Sequence, residues 1–254
     1  LDENFPFSAF VSKTITLEPR LGNPPPRLFE TAAGMINSIG LPNRGLAGYL
    51  EHDLPQLATL PVPLITNVMG SNADEVGELL EALDGREEVA ALELNVSCPN
   101  VKTGLDIGSD PAELTKLLAA VRGKTSKPLI VKLTPNTANV ALVAAAAEAS
   151  GADAVSLINT LRAFAADPSR PGKAWLGGGT GGQSGPAIRA VALAQTCAVA
   201  AAIELPIVAM GGISSVANAR QFLDAGAVVI AVGTESFRDP ATAGAIRDGL
   251  VALS

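Results

Sequence analysis

The stretch "LELNVSCPN", Leu92 to Asn100, sets a cysteine, Cys98, between Ser97 and a proline, with Asn95 and Asn100 on either side. A thiol with a free pKa of about 8.5 is partly thiolate at neutral pH, so Cys98 can act as a base or nucleophile where a nearby positive charge favours the anion. It can equally be a small buried residue closing an apolar run. Two lysines, Lys13 in "FVSKT" and Lys132 in "LIVKLT", also end apolar runs. Burying an ammonium is costly without an anionic partner, so each either reaches water along its stem or meets an electron-rich or anionic ligand.

Five asparagines, Asn37, Asn67, Asn95, Asn100 and Asn159, fall at the ends of such runs or in a turn-rich segment. An amide offers donors and an acceptor, the complement of a pyrimidine-like ring edge with alternating C=O and N–H. Any one of them is also an ordinary turn residue. Gly211 and Gly212 in "AMGGISS", Gly233 with Thr234 in "AVGTESF", and Gly185 in "GGQSGPAI" allow backbone N–H groups to approach a phosphate, or serve plain turns.

The elements that position these residues follow from the apolar pattern. Seven β-branched runs recur: "SAFVSKTIT", "PLITNVMG", "ALELNVSCPN", "PLIVKLTPN", "AVSLINT", "PIVAMGG" and "VVIAVGT". Between them lie helical stretches such as "SNADEVGELLEALDG", "DPAELTKLLAAVRG" and "TANVALVAAAAEASGA", with Asp110 and Thr137 as expected N-caps and a glycine after each as its stop. Continuous apolar strands alternating with helices predict a parallel sheet covered on both faces. Polar residues gathered at the strand C-termini favour a (βα)8 TIM barrel over a doubly wound sheet, because barrel loops at that end build the site. A count of seven leaves such a barrel one strand short and with two sheet edges, so a preceding segment carrying the first strand is expected to lie outside this sequence. The segment "RLGNPPPRLFETAAGMINSIGLPNRG" reads as an elaborated loop over the mouth. Residues 1–254 are expected to form one domain.

The bulk properties exclude several classes. A chain of 254 residues, 48% hydrophobic but 4% aromatic, suits helices packed on a parallel sheet better than a β-sandwich. A net charge of −7 and a pI near 4.8 give no basic footprint for nucleic acid. No apolar run reaches the length of a membrane span, and two distant cysteines without a signal-peptide pattern point to a reducing cytosol. One histidine, His52, reads as a surface helix residue, and Cys197 in "LAQTCAVAAAI" as an inert core cysteine. These cannot build a histidine-rich metal site or the roughly four ligands of an iron–sulfur cluster, so redox chemistry here needs a bound organic cofactor.

The set "FVSKTITLEPRLGNPPPR", "NSIGLPN", "ELNVSCPNVKTG", "VKLTPN", "INT", "GGTGGQSGPAI", "AMGGISS" and "AVGTESF" resembles the class 1 dihydroorotate dehydrogenases over nearly the whole chain, in the same order. The resemblance is strongest to the branch whose catalytic subunit works with a separate iron–sulfur flavoprotein. It implies a (βα)8 barrel holding FMN at its C-terminal mouth and oxidising dihydroorotate to orotate in pyrimidine (UMP) synthesis. Family members begin with a further strand and a small-residue loop that touches the flavin, and neither is in this sequence. By resemblance, Cys98 is the base, assisted by Ser97. The FMN contacts match Lys13, Thr14, Asn67, Asn95, Lys132, Ile158, Gly185, Gly211, Gly212, Gly233 and Thr234. The substrate contacts match Lys13, Asn37, Ser38, Ile39, Gly40, Leu41, Asn95, Asn159 and Thr160, with Asn100 a further candidate. No metal is implied in this chain. The "NVKTG" sequence favours electron transfer to a partner carrying FAD and a [2Fe–2S] cluster with NAD as acceptor, rather than to fumarate, and the family adds a homodimer. Two other readings stay open: an FMN-dependent oxidoreductase of a dihydropyrimidine base, and a non-catalytic barrel fragment that binds a phosphate-bearing ligand.

Overall fold

The computed structural model describes residues 5–96 and 107–252. All seven apolar runs form strands: β1 (Phe10–Val11), β4 (Leu64–Val68), β5 (Val89–Asn95), β6 (Leu129–Lys132), β7 (Ala154–Leu157), β10 (Ile207–Met210) and β11 (Val229–Ala231). They make one parallel sheet in the order β1-β4-β5-β6-β7-β10-β11. Helices alternate with them: α3 (Ala73–Asp84), α4 (Pro111–Val121), α5 (Val140–Ala149), α6 (Arg189–Ala200), α7 (Val216–Asp224), and the closing α8 (Glu235–Arg238) and α9 (Thr242–Val251). Between β1 and β4 come α1 (Gly45–Gly48), a π-helical turn at Tyr49–Asp53, and α2 (Leu54–Leu57).

The period of two along each strand divides its side chains between helices and interior. In β5, Leu92 and Leu94 turn outward and are fully buried in one cluster with Leu79, Leu80 and Leu83 of α3 and Leu114 and Leu118 of α4. Ala91, Glu93 and Asn95 take the opposite face. Strands two apart in a sheet lie roughly 9–10 Å from one another. A direct 2.6 Å bond from Ser156 on β7 to Glu93 on β5 therefore requires a curled sheet with both residues on its concave side. This is the α/β barrel arrangement expected. Among the described residues no strand lies between β11 and β1, and the inner-face residues Val11 and Val229 at these ends are exposed.

Three local expectations are corrected. The segment taken as a mouth loop folds into β2 (Leu28–Thr31) and β3 (Gly34–Asn37), which join β8 (Leu161–Ala163) and β9 (Gly181–Ser184) in an antiparallel sheet, order β2-β3-β9-β8. Asp110 caps α4 as expected, its Oδ1 accepting from the Ala112 N–H, but α5 is capped by Asn139 rather than Thr137. The helix begins only at Val140, so Asn139 Oδ1 reaches the Ala141 and Leu142 amides while the Thr137 hydroxyl donates to the Ser109 carbonyl. Cys197 is exposed, not core: Ala192, Thr196 and Val199 form the inward face of α6, and Cys197 lies a turn-angle away from it. His52 is on the surface, as expected.

The mouth sheet continues beyond β8 into a hairpin-like loop closed at Ala166 and Ala174. The Asp167 carboxylate organises it, accepting from the Ser169 hydroxyl, the Arg170 guanidinium and the Ser169 amide, which hold its carboxyl down at about 2 against an ordinary 3.8. A carboxyl held low in the folded state contributes stability above the unfolded pKa and loses it as pH falls through the folded one. Amide-exchange protection at Lys173, after correction for intrinsic rates, is expected to hold above pH 4 and decline between pH 4 and about 2. Asp167→Asn should lose that protection at every pH, and a wild-type loop indifferent to acid would refute this role.

Candidate active site at the C-terminal mouth of the sheet

The parallel strands all deliver their C-termini to one end, and there the sequence changes from apolar to polar. Along β4 and β5, Asn67 registers against Glu93; along β5 and β6, Asn95 registers against Lys132; Lys132 registers in turn against Ser156 of β7. Glu93 is 2% exposed. Its Oε1 accepts the Ser156 hydroxyl at 2.6 Å, and its Oε2 accepts the Asn67 amide and lies 3.6 Å from the Lys132 ammonium. The sequence reading missed Glu93. Its signal is an acid at an inward position of an otherwise apolar strand, which no carboxylate occupies without partners.

Lys13 and Thr14 flank the same asparagine. The Ser12 amide donates to the Ile65 carbonyl and the Ile15 amide to the Asn67 carbonyl, so three residues after β1 cover two on β4. This extra residue is a bulge, which re-aims the side chains it contains. Ser12 Oγ accepts from the main-chain N–H of Asn67 at 3.1 Å, Thr14 is buried, and Lys13 is exposed. Lys13 also lines a cavity of about 460 Å³ with Phe10, Tyr49 and Arg44.

On the far side, the Ile158 amide donates to the Met210 carbonyl and the Asn159 amide to the Leu133 carbonyl, fixing the β7 exit between its neighbours. Thr160 is held by Asn136, whose amide donates to the Thr160 carbonyl at 3.0 Å, and by Asn159, whose Oδ1 accepts the Thr160 N–H at 2.8 Å. The mouth sheet meets this point: a Cβ at Gly182 would fall 1.9 Å from Thr160 Oγ1. Asn37 ends β3, its side chain donating to the Gly182 carbonyl at 3.3 Å. Ser38 is fully buried, with its hydroxyl donating to the Thr180 carbonyl and accepting from Asn23, so that it braces the chain. Ile39 and Gly40 are half-buried, and Leu41 is buried in the left-handed region at φ 55°.

The glycines converge. Gly212 has φ 72°, and a Cβ there would lie 2.6 Å from the Gly185 carbonyl; one at Gly185 would lie 2.7 Å from Gly34 Cα and 3.3 Å from Thr234. Gly211, at φ 134°, backs onto Ala192 of α6. A Cβ at Gly233 would meet no protein atom within 4 Å. Main chain from β3, β9, β10 and β11 thus draws together beside open space.

Ser97, Cys98 and Asn100 lie outside the described residues. The chain on either side is fixed: Val96 follows Asn95 directly, is 7% exposed, and accepts the Gly108 N–H at 2.9 Å.

The site also fits a polar heterocycle on its own chemistry. Asn67 Oδ1 is buried without a hydrogen-bond partner among the described residues. A buried amide oxygen left unpaired costs about 1–3 kcal/mol, a cost relieved when a ligand N–H meets it.

Comparison with known proteins agrees with this geometry. The family model described as dihydroorotate dehydrogenase matches residues 3–253. The chain is 46% identical over 243 residues to a protein of Trichlorobacter lovleyi, covering 95% of this chain and 80% of that one. It is 48% identical over 229 residues to one of Bacillus pumilus (90% and 74%), and 46% identical over 239 residues to one of Desulforudis audaxviator (94% and 78%). All three carry the name dihydroorotate dehydrogenase B (NAD(+)), catalytic subunit. With a family model spanning nearly its full length and relatives this similar, the chain belongs to the dihydroorotate dehydrogenase family.

Proposed function

We propose that the protein is a flavoenzyme that oxidises (S)-dihydroorotate to orotate in pyrimidine synthesis, with FMN as its flavin. The observation that carries this reading is the gathering of Asn67, Asn95 and Lys132 at one end of a parallel sheet, with Cys98 only two residues beyond the fixed Val96. Two peptide units span no more than about 7 Å, which keeps this part of the chain within reach of the mouth and supports the reading.

Bound FMN would supply the hydride acceptor. Asn67, Asn95, Lys132, Thr14, Ile158, Gly185, Gly211, Gly212, Gly233 and Thr234 would hold it, with Lys13 between it and the substrate. The chain's own part in the chemistry is a proton transfer. Cys98, as thiolate, takes the proton from carbon 5 while the hydride leaves carbon 6, and the two electrons freed at carbon 5 form the new ring double bond. Ser97 orients the sulfur. Lys132 places fixed positive charge where the ring gains electrons, and Lys13 meets the substrate carboxylate. The asparagines Asn37, Asn95, Asn100 and Asn159, with Ser38 to Leu41 and Thr160, complement the ring amides and carbonyls.

A second subunit carrying FAD and a [2Fe–2S] cluster would supply the onward electron transfer, with NAD as the final acceptor. Support comes from the relatives, whose names describe catalytic subunits of NAD(+) enzymes. We further place one FMN-binding domain over residues 1–254, a homodimeric core, and the cytoplasm as location; none of the described helices is long and apolar enough to cross a membrane. A substrate panel tests the reading. Dihydroorotate should be oxidised at least about a hundredfold more efficiently than dihydrouracil, because a site built to pair a charged group rejects an analogue lacking it by orders of magnitude. Equal rates would instead indicate an oxidoreductase of the uncharged base.

A further inference from the structure

We infer that Glu93 is a positioning residue that sets the polarity of the flavin site through Asn67 and Lys132, an assignment that rests on the FMN reading above. Glu93 is 2% exposed and its carboxylate is turned to other side chains: Ser156 holds one oxygen, and Asn67 and Lys132 share the other. Its influence runs through those two side chains.

An ionised carboxylate has no hydrogen to donate, so the Asn67 group facing it must be the NH2. The orientation of that amide is therefore fixed by charge, and the carbonyl oxygen Oδ1 is forced to the other side. There it is buried, with no partner among the described residues. The same carboxylate lies 3.6 Å from the Lys132 ammonium and leaves that group's remaining hydrogens for the mouth. The combined effect is to present one acceptor and one cation on adjoining strands. This pair is the complement of a ring edge that carries an N–H beside a carbonyl or imine nitrogen. An asparagine able to rotate freely would present its NH2 to the ring N–H as often as its oxygen, and a lysine without a fixed counter-charge would hold no single place.

A retained buried carboxylate needs such a reason. Removing one partner of a buried ion pair is strongly destabilising, and apolar replacement of the whole set is often neutral, so packing alone does not call for an acid here.

The test measures FMN binding to the apo-protein by fluorescence quenching, in a double-mutant cycle of Glu93→Gln with Asn67→Ala. Glutamine keeps the shape but offers both a donor and an acceptor, so it frees the Asn67 amide to turn. Glu93→Gln is expected to weaken FMN binding about 10- to 100-fold, and to weaken it at least about threefold less once Asn67 is already alanine, the remainder passing through Lys132, because contacting residues that act as one unit do not add. A structural role alone would lower thermal stability and leave the two affinity losses multiplicative. If Glu93→Gln fails to fold, Ser156→Ala releases the carboxylate from its far side while leaving Asn67 and Lys132 intact, and should weaken FMN binding severalfold. Wild-type affinity in Glu93→Gln or, failing that, in Ser156→Ala, or multiplicative losses in the cycle, would overturn the positioning role while leaving the cofactor assignment in place. Failure of the unmutated protein to bind FMN would overturn the cofactor reading and this inference with it.

Discussion

Cys98→Ala is expected to retain bound FMN while its flavin is reduced by dihydroorotate about 10²- to 10⁴-fold more slowly, the usual contribution of a positioned general base. Asn95 closes β5 in register with Lys132, Val96 is tied to Gly108, and Cys98 follows two residues on. The hydride cannot leave carbon 6 to give a stable product unless the proton on carbon 5 also departs, so loss of the base slows the chemical step. It removes nothing that holds the cofactor. The split between intact binding and slowed reduction is the signature, read by anaerobic stopped-flow at the flavin's visible band. An unchanged rate in this variant would remove the thiol from the mechanism and return Cys98 to the role of a small packed residue.

Gly212→Val is expected to lower FMN affinity by tenfold or more, equivalent to at least about 1.4 kcal/mol. Two effects combine. Gly212 sits at φ 72°, where a β-branched residue is strongly disfavoured. Its Cβ would also fall 2.6 Å from the Gly185 carbonyl and 3.0 Å from Pro186 Cα, which are main chain and the start of a helix rather than a movable side-chain tip. The conflict must move the loop from β9 into α6, carrying Gly185 with it. Both glycines are proposed cofactor contacts, so one substitution disturbs two strands' worth of the cradle. A fluorescence titration of the apo-variant, beside circular dichroism to confirm its fold, decides the point. Native affinity would show that no part of FMN lies against this turn.

Much of the architecture was legible because the signal was physical and local. The parallel strands between the sheet's two ends are largely buried on both faces, so each reads as a continuous apolar run that ends where the polar mouth begins. The antiparallel sheet gave no such signal. Its strands, "LFET", "GMIN", "LRA" and "GGQS", are short and largely half-exposed, two of them carry glycine, and β3 finds β9 only across a long sequence separation, as in Asn37 with Gly182. Cys197 was misplaced because α6 is apolar nearly all round, so that the period could not say which face is inward. Thr137 and Asn139 are both competent caps, and only the point where helical geometry begins separates them. Glu93 was visible all along as an acid within "LELN"; what the sequence could not supply was the strand order that brings Asn67, Lys132 and Ser156 around it.

The same comparison shows which site residues act as ligands for the chain itself. The Ser38 hydroxyl is engaged with Thr180 and Asn23, so its first task is to brace the chain that carries Asn37. Asn67 is the reverse case, with a donor used internally and an acceptor turned elsewhere.

At the base of all of this lies the claim that an electron-accepting ring rests on the concave sheet's polar rim and takes hydride from a dihydropyrimidine acid. Mixing the FMN-loaded protein with dihydroorotate in the absence of oxygen addresses it in one step. The yellow colour should fade with one equivalent of substrate while orotate appears in equal amount. A flavin that stays oxidised under those conditions, in protein that has demonstrably bound it, would contradict the account.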